Sequence, residues 1–140
     1  MKHEELTEKI IKGFFNVYNT LGYGFLEKVY ENALFVELTQ MNLKVERQKR
    51  ISVYYKEHIV GNYAADLVVE DLVICELKAN EILFEDGGYQ LVNYLRATKL
   101  EVGLLLNFGK KPELKRKIYD NDKKNWFSKS ISNSDVVGGV

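Results

Sequence analysis

The chain has 140 residues, 46% of them hydrophobic and 29% charged, with twenty basic residues against twenty acidic ones. That length and composition fit one globular domain, and a net charge of zero argues against a histone-like coating protein. A single cysteine, Cys75, excludes an intramolecular disulfide, and with only His3 and His58 beside it a four-ligand Cys/His zinc site is excluded as well. No apolar run approaches the roughly 20 residues of a membrane span. The start, Met1 to Glu5, lacks the apolar stretch of a secretion signal, so a soluble, cytoplasmic protein with no membrane partner is expected.

Taken in chain order, residues 4–20 predict a helix, because Leu6, Ile10, Ile11, Phe14, Phe15 and Tyr18 recur at helical spacing. Gly22 and Gly24 break it, and a second helix follows from about Phe25 to Met41. The period then changes to 2: Ile51, Val53 and Tyr55 mark a strand over 48–56, Ile59 to Val69 a second, and Leu72 to Lys78 a third after a turn at Glu70-Asp71. Tyr89 to Ala97 reads as a helix and Glu101 to Phe108 as a buried strand. The order α-α-β-β-β-α-β predicts an α/β fold, a mixed central sheet of about four strands flanked by helices, with a right-handed crossover before the last strand. Residues 1–125 form the expected domain and 126–140 an expected mobile tail.

The third strand is apolar except for Glu76 and Lys78, which alternation puts on one face with Ile74. Burying either charge alone is costly, so packing does not explain them. Asp66 interrupts the second strand in the same way. A two-residue turn would set it opposite Cys75; a three-residue turn or a bulge would set it opposite Glu76, and the latter is expected. Two carboxylates so placed repel each other, which raises one pKa unless a cation lies between them. The donor set is all oxygen, which suits Mg²⁺ or Mn²⁺ better than zinc. Between Glu57 and Asp86 there are eight acids and one lysine, whereas Lys110 to Lys129 holds eight bases against three acids. A cation site beside a polyanion-binding flank fits that distribution. Cys75 points away from Glu76 and reads as core.

Asp66 followed by Glu76-Leu77-Lys78 resembles the D…(D/E)-x-K signature of the PD-(D/E)xK nuclease superfamily. Gly24-Phe25-Leu26-Glu27-Lys28-Val29-Tyr30 matches the G-x-x-E-x-x-Y motif of one bacterial and archaeal family assigned to it. Tyr89-Gln90-Leu91-Val92-Asn93-Tyr94-Leu95 is similar to that family's Q-L-x-x-Y-L segment, and Leu104 to Gly109 to its closing strand. Tyr18, Tyr23 and Gly87 stand where the family often has histidine, proline and histidine.

The resemblance implies a restriction-endonuclease-like core and a metal-dependent nuclease. Asp66, Glu76 and Glu27 would hold Mg²⁺ or Mn²⁺, with Glu27 reaching in from its helix directly or through water. Lys78 would position or activate the attacking water. Tyr30, Gln90 and Tyr94 would meet the nucleic acid, DNA rather than RNA. A homodimer is an expected assembly, since cutting two strands often takes two subunits. The alternative is a non-catalytic module on the same fold, binding nucleic acid or a protein, because fold does not fix function.

Overall fold

The computed structural model describes residues 2–81 and 85–126. Helix α1 spans Glu4–Leu21 and α2 spans Glu27–Gln40; strands β1 (Val45–Tyr55), β2 (His58–Val69) and β3 (Val73–Lys78) follow. Helix α3 (Glu85–Ala97) leads to β4 (Val102–Phe108), β5 (Pro112–Ile118) and a 3-10 turn at Asn121–Lys123. Gly22 and Gly24, with φ of 72° and 118°, make the α1–α2 connection in a region of backbone space that favours glycine.

The sheet has five strands in the order β1-β2-β3-β4-β5, all neighbours antiparallel except the parallel pair β3–β4. This α/β arrangement, a mixed sheet flanked by helices, agrees with the restriction-endonuclease-like core that the resemblance implies. The expected count of about four strands is corrected to five. The additional strand, β5, carries the sequence Pro-Glu-Leu-Lys-Arg-Lys-Ile, whose charges hide its pattern; its place comes from hydrogen bonding along buried β4. Residues 127–140, most of the expected tail, lie outside the described residues, as do 82–84. No described helix is long and apolar enough to cross a membrane.

Two apolar clusters fill the two sides of the sheet. On one side α1 and α2 bury Ile10, Phe14, Tyr30, Leu34 and Leu38 against Leu67, Val69, Val73, Cys75, Leu77 and the even-numbered positions of β4. Phe108 lies at its centre, 4.8 Å from the Phe14 ring and stacked on Tyr30 at 4.3 Å. Each such side chain contributes about 1.5–3 kcal/mol by leaving water. On the other side Leu91, Tyr94 and Leu95 of α3 meet Ile51, Ala65, Val68, Ile74 and Leu105. Gly103 permits this approach: a Cβ there would fall 2.7 Å from Leu91 Cδ1.

Ala65 and Val68 both belong to the α3 side, while Leu67 belongs to the other. Strict alternation along β2 therefore fails around Asp66. β3 keeps its alternation. Val73, Cys75 and Leu77 face α1 and α2, so Ile74, Glu76 and Lys78 face the α3 side.

Candidate active site

The site begins where β2 and β3 separate. Glu70 and Asp71 both have φ near 54°, and Val69 pairs with Val73, so Glu70 to Leu72 form a three-residue connection. The pairs Leu67–Cys75 and Val68–Ile74 continue that register, which carried one residue on sets Asp66 opposite Glu76. Beyond Leu67 the side chains take over from the backbone ladder. The Asp66 N–H donates to Glu76 Oε1 at 3.3 Å, and the Leu77 N–H donates to Asp66 Oδ2 at 2.8 Å. The strands thus part at the point where the two carboxylates meet.

Glu76 is only 6% exposed. Burial, and then the neighbouring Asp66 charge, push its pKa up to about 8; the Asp66 N–H and Lys78 act in the opposite direction. This is the response of a buried carboxylate with a second carboxylate beside it. Lys78 closes β3 on the same face, partly exposed and paired in register with Asn107 of β4. Asn107, fully buried, accepts from the Asn80 N–H at 3.0 Å and donates to the Asn80 carbonyl at 2.9 Å, fixing the chain just after Lys78.

Asp66 has a further partner that the sequence did not single out. Gln48 of β1 donates through Nε2 to Glu31 Oε1 at 2.8 Å and, at a longer 3.4 Å, to Asp66 Oδ1. Its backbone is left-handed, with φ 49° inside a strand, a conformation disfavoured for a residue with a Cβ. Glu31 is 5% exposed and also pairs with Lys28 Nζ at 3.0 Å. Glu27, expected to point inward, is exposed on the first turn of α2. The acid of α2 that is linked to the Asp66–Glu76 pair is therefore Glu31, one turn further on. The signal for Glu31 is its i+4 spacing from Glu27, which places both on one helix face.

Tyr30, expected at the substrate, is instead a core residue: it is fully buried and stacked on Phe108. Its hydroxyl donates to the Gly22 carbonyl at 2.6 Å and accepts from the Phe25 N–H at 3.2 Å, tying down the glycine turn. An aromatic ring in the apolar stripe of α2 has nowhere to go but the interior. Gln90 and Tyr94 do share a helix face, with Gln90 Nε2 donating to the Tyr94 hydroxyl at 2.8 Å. Burial, then the Glu76 charge, push the Tyr94 pKa to about 12. Cys75 is fully buried and burial pushes its thiol up, which makes it an inert core residue.

A residue profile of the PD-(D/E)XK nuclease superfamily matches residues 4–117, an interval that holds every element of this site. The chain belongs to the PD-(D/E)XK nuclease superfamily. No curated protein and no solved structure matches the chain. Members of this superfamily generally use divalent metal ions and bind nucleic acid.

The donor chemistry of this member fits such an ion. Asp66 and Glu76 offer only oxygen, and hard oxygen donors match small divalent cations rather than soft ones. Among the described residues no group of three or more His, Cys, Asp or Glu side chains gathers in one place. A cation held by the pair would complete its shell with water, backbone carbonyl or phosphate oxygens, the habit of Mg²⁺ in phosphate-handling sites.

Proposed function

We propose that this protein is a Mg²⁺- or Mn²⁺-dependent nuclease that hydrolyses phosphodiester bonds in DNA. The observation that carries this reading is the meeting of Asp66 and Glu76 where β2 and β3 part, with Lys78 on the same face. The G-x-x-E-x-x-Y motif at Gly24 to Tyr30 supports placing it in the family named for that motif, and a cytoplasmic setting goes with it.

Asp66 and Glu76 would hold the cation. Such an ion, when bound, lowers the pKa of water and offsets phosphoryl charge. Lys78 presents an ammonium on the same face, where it can donate to phosphate oxygens as negative charge builds up. Gln48 and Glu31 hold Asp66 in orientation. The register also sets Lys117 opposite Gly103 and Lys115 opposite Leu105, the α3 side of β4. Those lysines lie on the face of the site and can bind backbone phosphates without reading bases. Cutting both strands of a duplex would need a second copy of the site, hence a homodimer; cutting one strand needs a single chain.

The test is incubation of the purified chain with labelled single-stranded and duplex DNA in Mg²⁺ or Mn²⁺. Cleavage that disappears with EDTA and in Asp66→Asn and Glu76→Gln is expected. Cation binding without turnover on any polynucleotide would mark a non-catalytic module instead.

A further inference from the structure

Between the β1–β2 hairpin and α3 opens a cavity of about 550 Å³, within the size range of small-molecule sites. Tyr54 and Tyr63 of the hairpin, Tyr94 of α3 and Trp126 contribute its aromatic walls. The Tyr63 and Tyr94 rings lie 5.4 Å apart at 48°. Tyr63 is 45% exposed, so this ring is not used to fill the core. Trp126 is held in place by donating its indole N–H to the Arg96 carbonyl at 3.0 Å. The polar lining consists of the amides of Gln90 and Asn93 together with Arg96; none of the described lining residues is acidic.

We infer that this cavity receives an unpaired base, so that the strand reaching the carboxylates is single-stranded nucleic acid. The inference rests on the nuclease reading for the fate of the strand, but the pocket stands on its own lining. Aromatic walls stack on any base, and amides and a guanidinium can meet base edges and phosphate without the repulsion that carboxylates would bring. A base inside a duplex is stacked and paired, and cannot enter between a hairpin and a helix unless it is extruded. Position argues the same way. Tyr94 lines the cavity and packs on the face of the sheet that Glu76 shares with Ile74, and Tyr63 lies three residues before Asp66 on β2, about 10 Å along the strand. A strand whose base sits in the cavity can therefore reach the carboxylates with its backbone.

Trp126 is the chain's one tryptophan, so its fluorescence reports on the cavity directly. The test uses the full chain in EDTA, which separates binding from cleavage. A thymidine oligonucleotide of about 12 nucleotides, within the range of single-strand site sizes, is compared with a blunt duplex of equal length. The single strand should quench Trp126 and bind roughly tenfold more tightly than the duplex, the scale of one stacked base. Tyr63→Leu and Asn93→Asp, each checked for an unchanged Tm, should weaken single-strand binding about tenfold and leave duplex binding as it was. Asn93 is exposed on α3, so that variant carries the test if Tyr63→Leu fails to fold. Equal binding of both forms, or wild-type single-strand binding in the folded variants, would overturn the inference. Failure of the nuclease reading looks different: quenching and single-strand preference persist, but no cleavage appears when metal is added.

Discussion

Asp66 gives its backbone N–H to the Glu76 carboxylate at 3.3 Å, while its own carboxylate accepts from the N–H that follows Glu76, that of Leu77, at 2.8 Å. Each acid thus does the work of a missing ladder carbonyl on the neighbouring strand. The arrangement explains how the chain tolerates two carboxylates in the interior of a sheet. It also gives Asp66 a structural role beside the proposed cation binding, and the two roles separate by mutation. Asp66→Asn keeps an acceptor for Leu77, whereas Asp66→Ala leaves that N–H unpaired at a cost of about 1–3 kcal/mol. Urea denaturation in EDTA should show the alanine variant less stable than the asparagine variant by that amount, while both lose cleavage. Equal stability would show that the Leu77 bond contributes little.

The raised pKa of Glu76 makes metal-free stability depend on pH. The folded-state value is about 8 against an ordinary value of 4.5, so between these the folded chain holds a proton that the unfolded chain has released. The proton-linked stability is fully present below about pH 4.5 and is lost as pH rises through 8. In EDTA, the stability difference between Glu76→Gln and wild type should therefore grow in favour of the variant from pH 5 to pH 8. The growth should reach a few kcal/mol at most, since each tenfold difference in proton affinity between folded and unfolded chain is worth roughly 1.4 kcal/mol. Excess Mn²⁺ should restore wild type at pH 8 and have no such effect on the variant. A difference that stays flat with pH would contradict the geometry assigned to the pair.

Glu31 and Glu27 provide a direct comparison on one helix. Glu31 is buried and connected through Gln48 to Asp66; Glu27 is exposed. Glu31→Gln should weaken Mn²⁺ binding or cleavage by about 10–100-fold, the usual effect of removing a group that orients a metal ligand. Glu27→Gln should change either by much less. The reverse ranking would return the helix acid to the position the G-x-x-E-x-x-Y motif suggests.

These contrasts show which parts were legible in the sequence. The two helices before the sheet, the period-2 strands and the Asp66–Glu76 register all follow from local spacing and turn length, which the chain states within a few residues. Tyr30 lies in the apolar stripe of α2, which points to the core, but its stacking partner, Phe108, arrives only with β4, so the motif alone does not show that the ring is covered. Glu31 carries no signal beyond its spacing from Glu27, because its partner Gln48 belongs to another element. β5 is not legible in the sequence, because its lysines and arginine mask Leu114 and Ile118 and its pairing is set by the backbone of β4.

Tyr30 should accordingly behave as a structural residue. Tyr30→Phe removes the bonds to Gly22 and Phe25 while keeping the stack, at a cost of about 0.5–1.5 kcal/mol. Tyr30→Ala removes the stack as well, at roughly 3–5 kcal/mol. Chemical denaturation measures both. Loss of nucleic-acid affinity in a fully stable Tyr30→Phe protein would restore a role at the substrate.

Asp66 and Glu76 are proposed to hold a divalent cation jointly. Calorimetric titration of Mn²⁺ into metal-free wild type, Asp66→Asn and Glu76→Gln at pH 8 measures this without any assumption about substrate. Saturable binding in wild type, weakened at least tenfold in each folded variant, is the predicted result. Binding of equal affinity in all three proteins, or none in wild type, would contradict it.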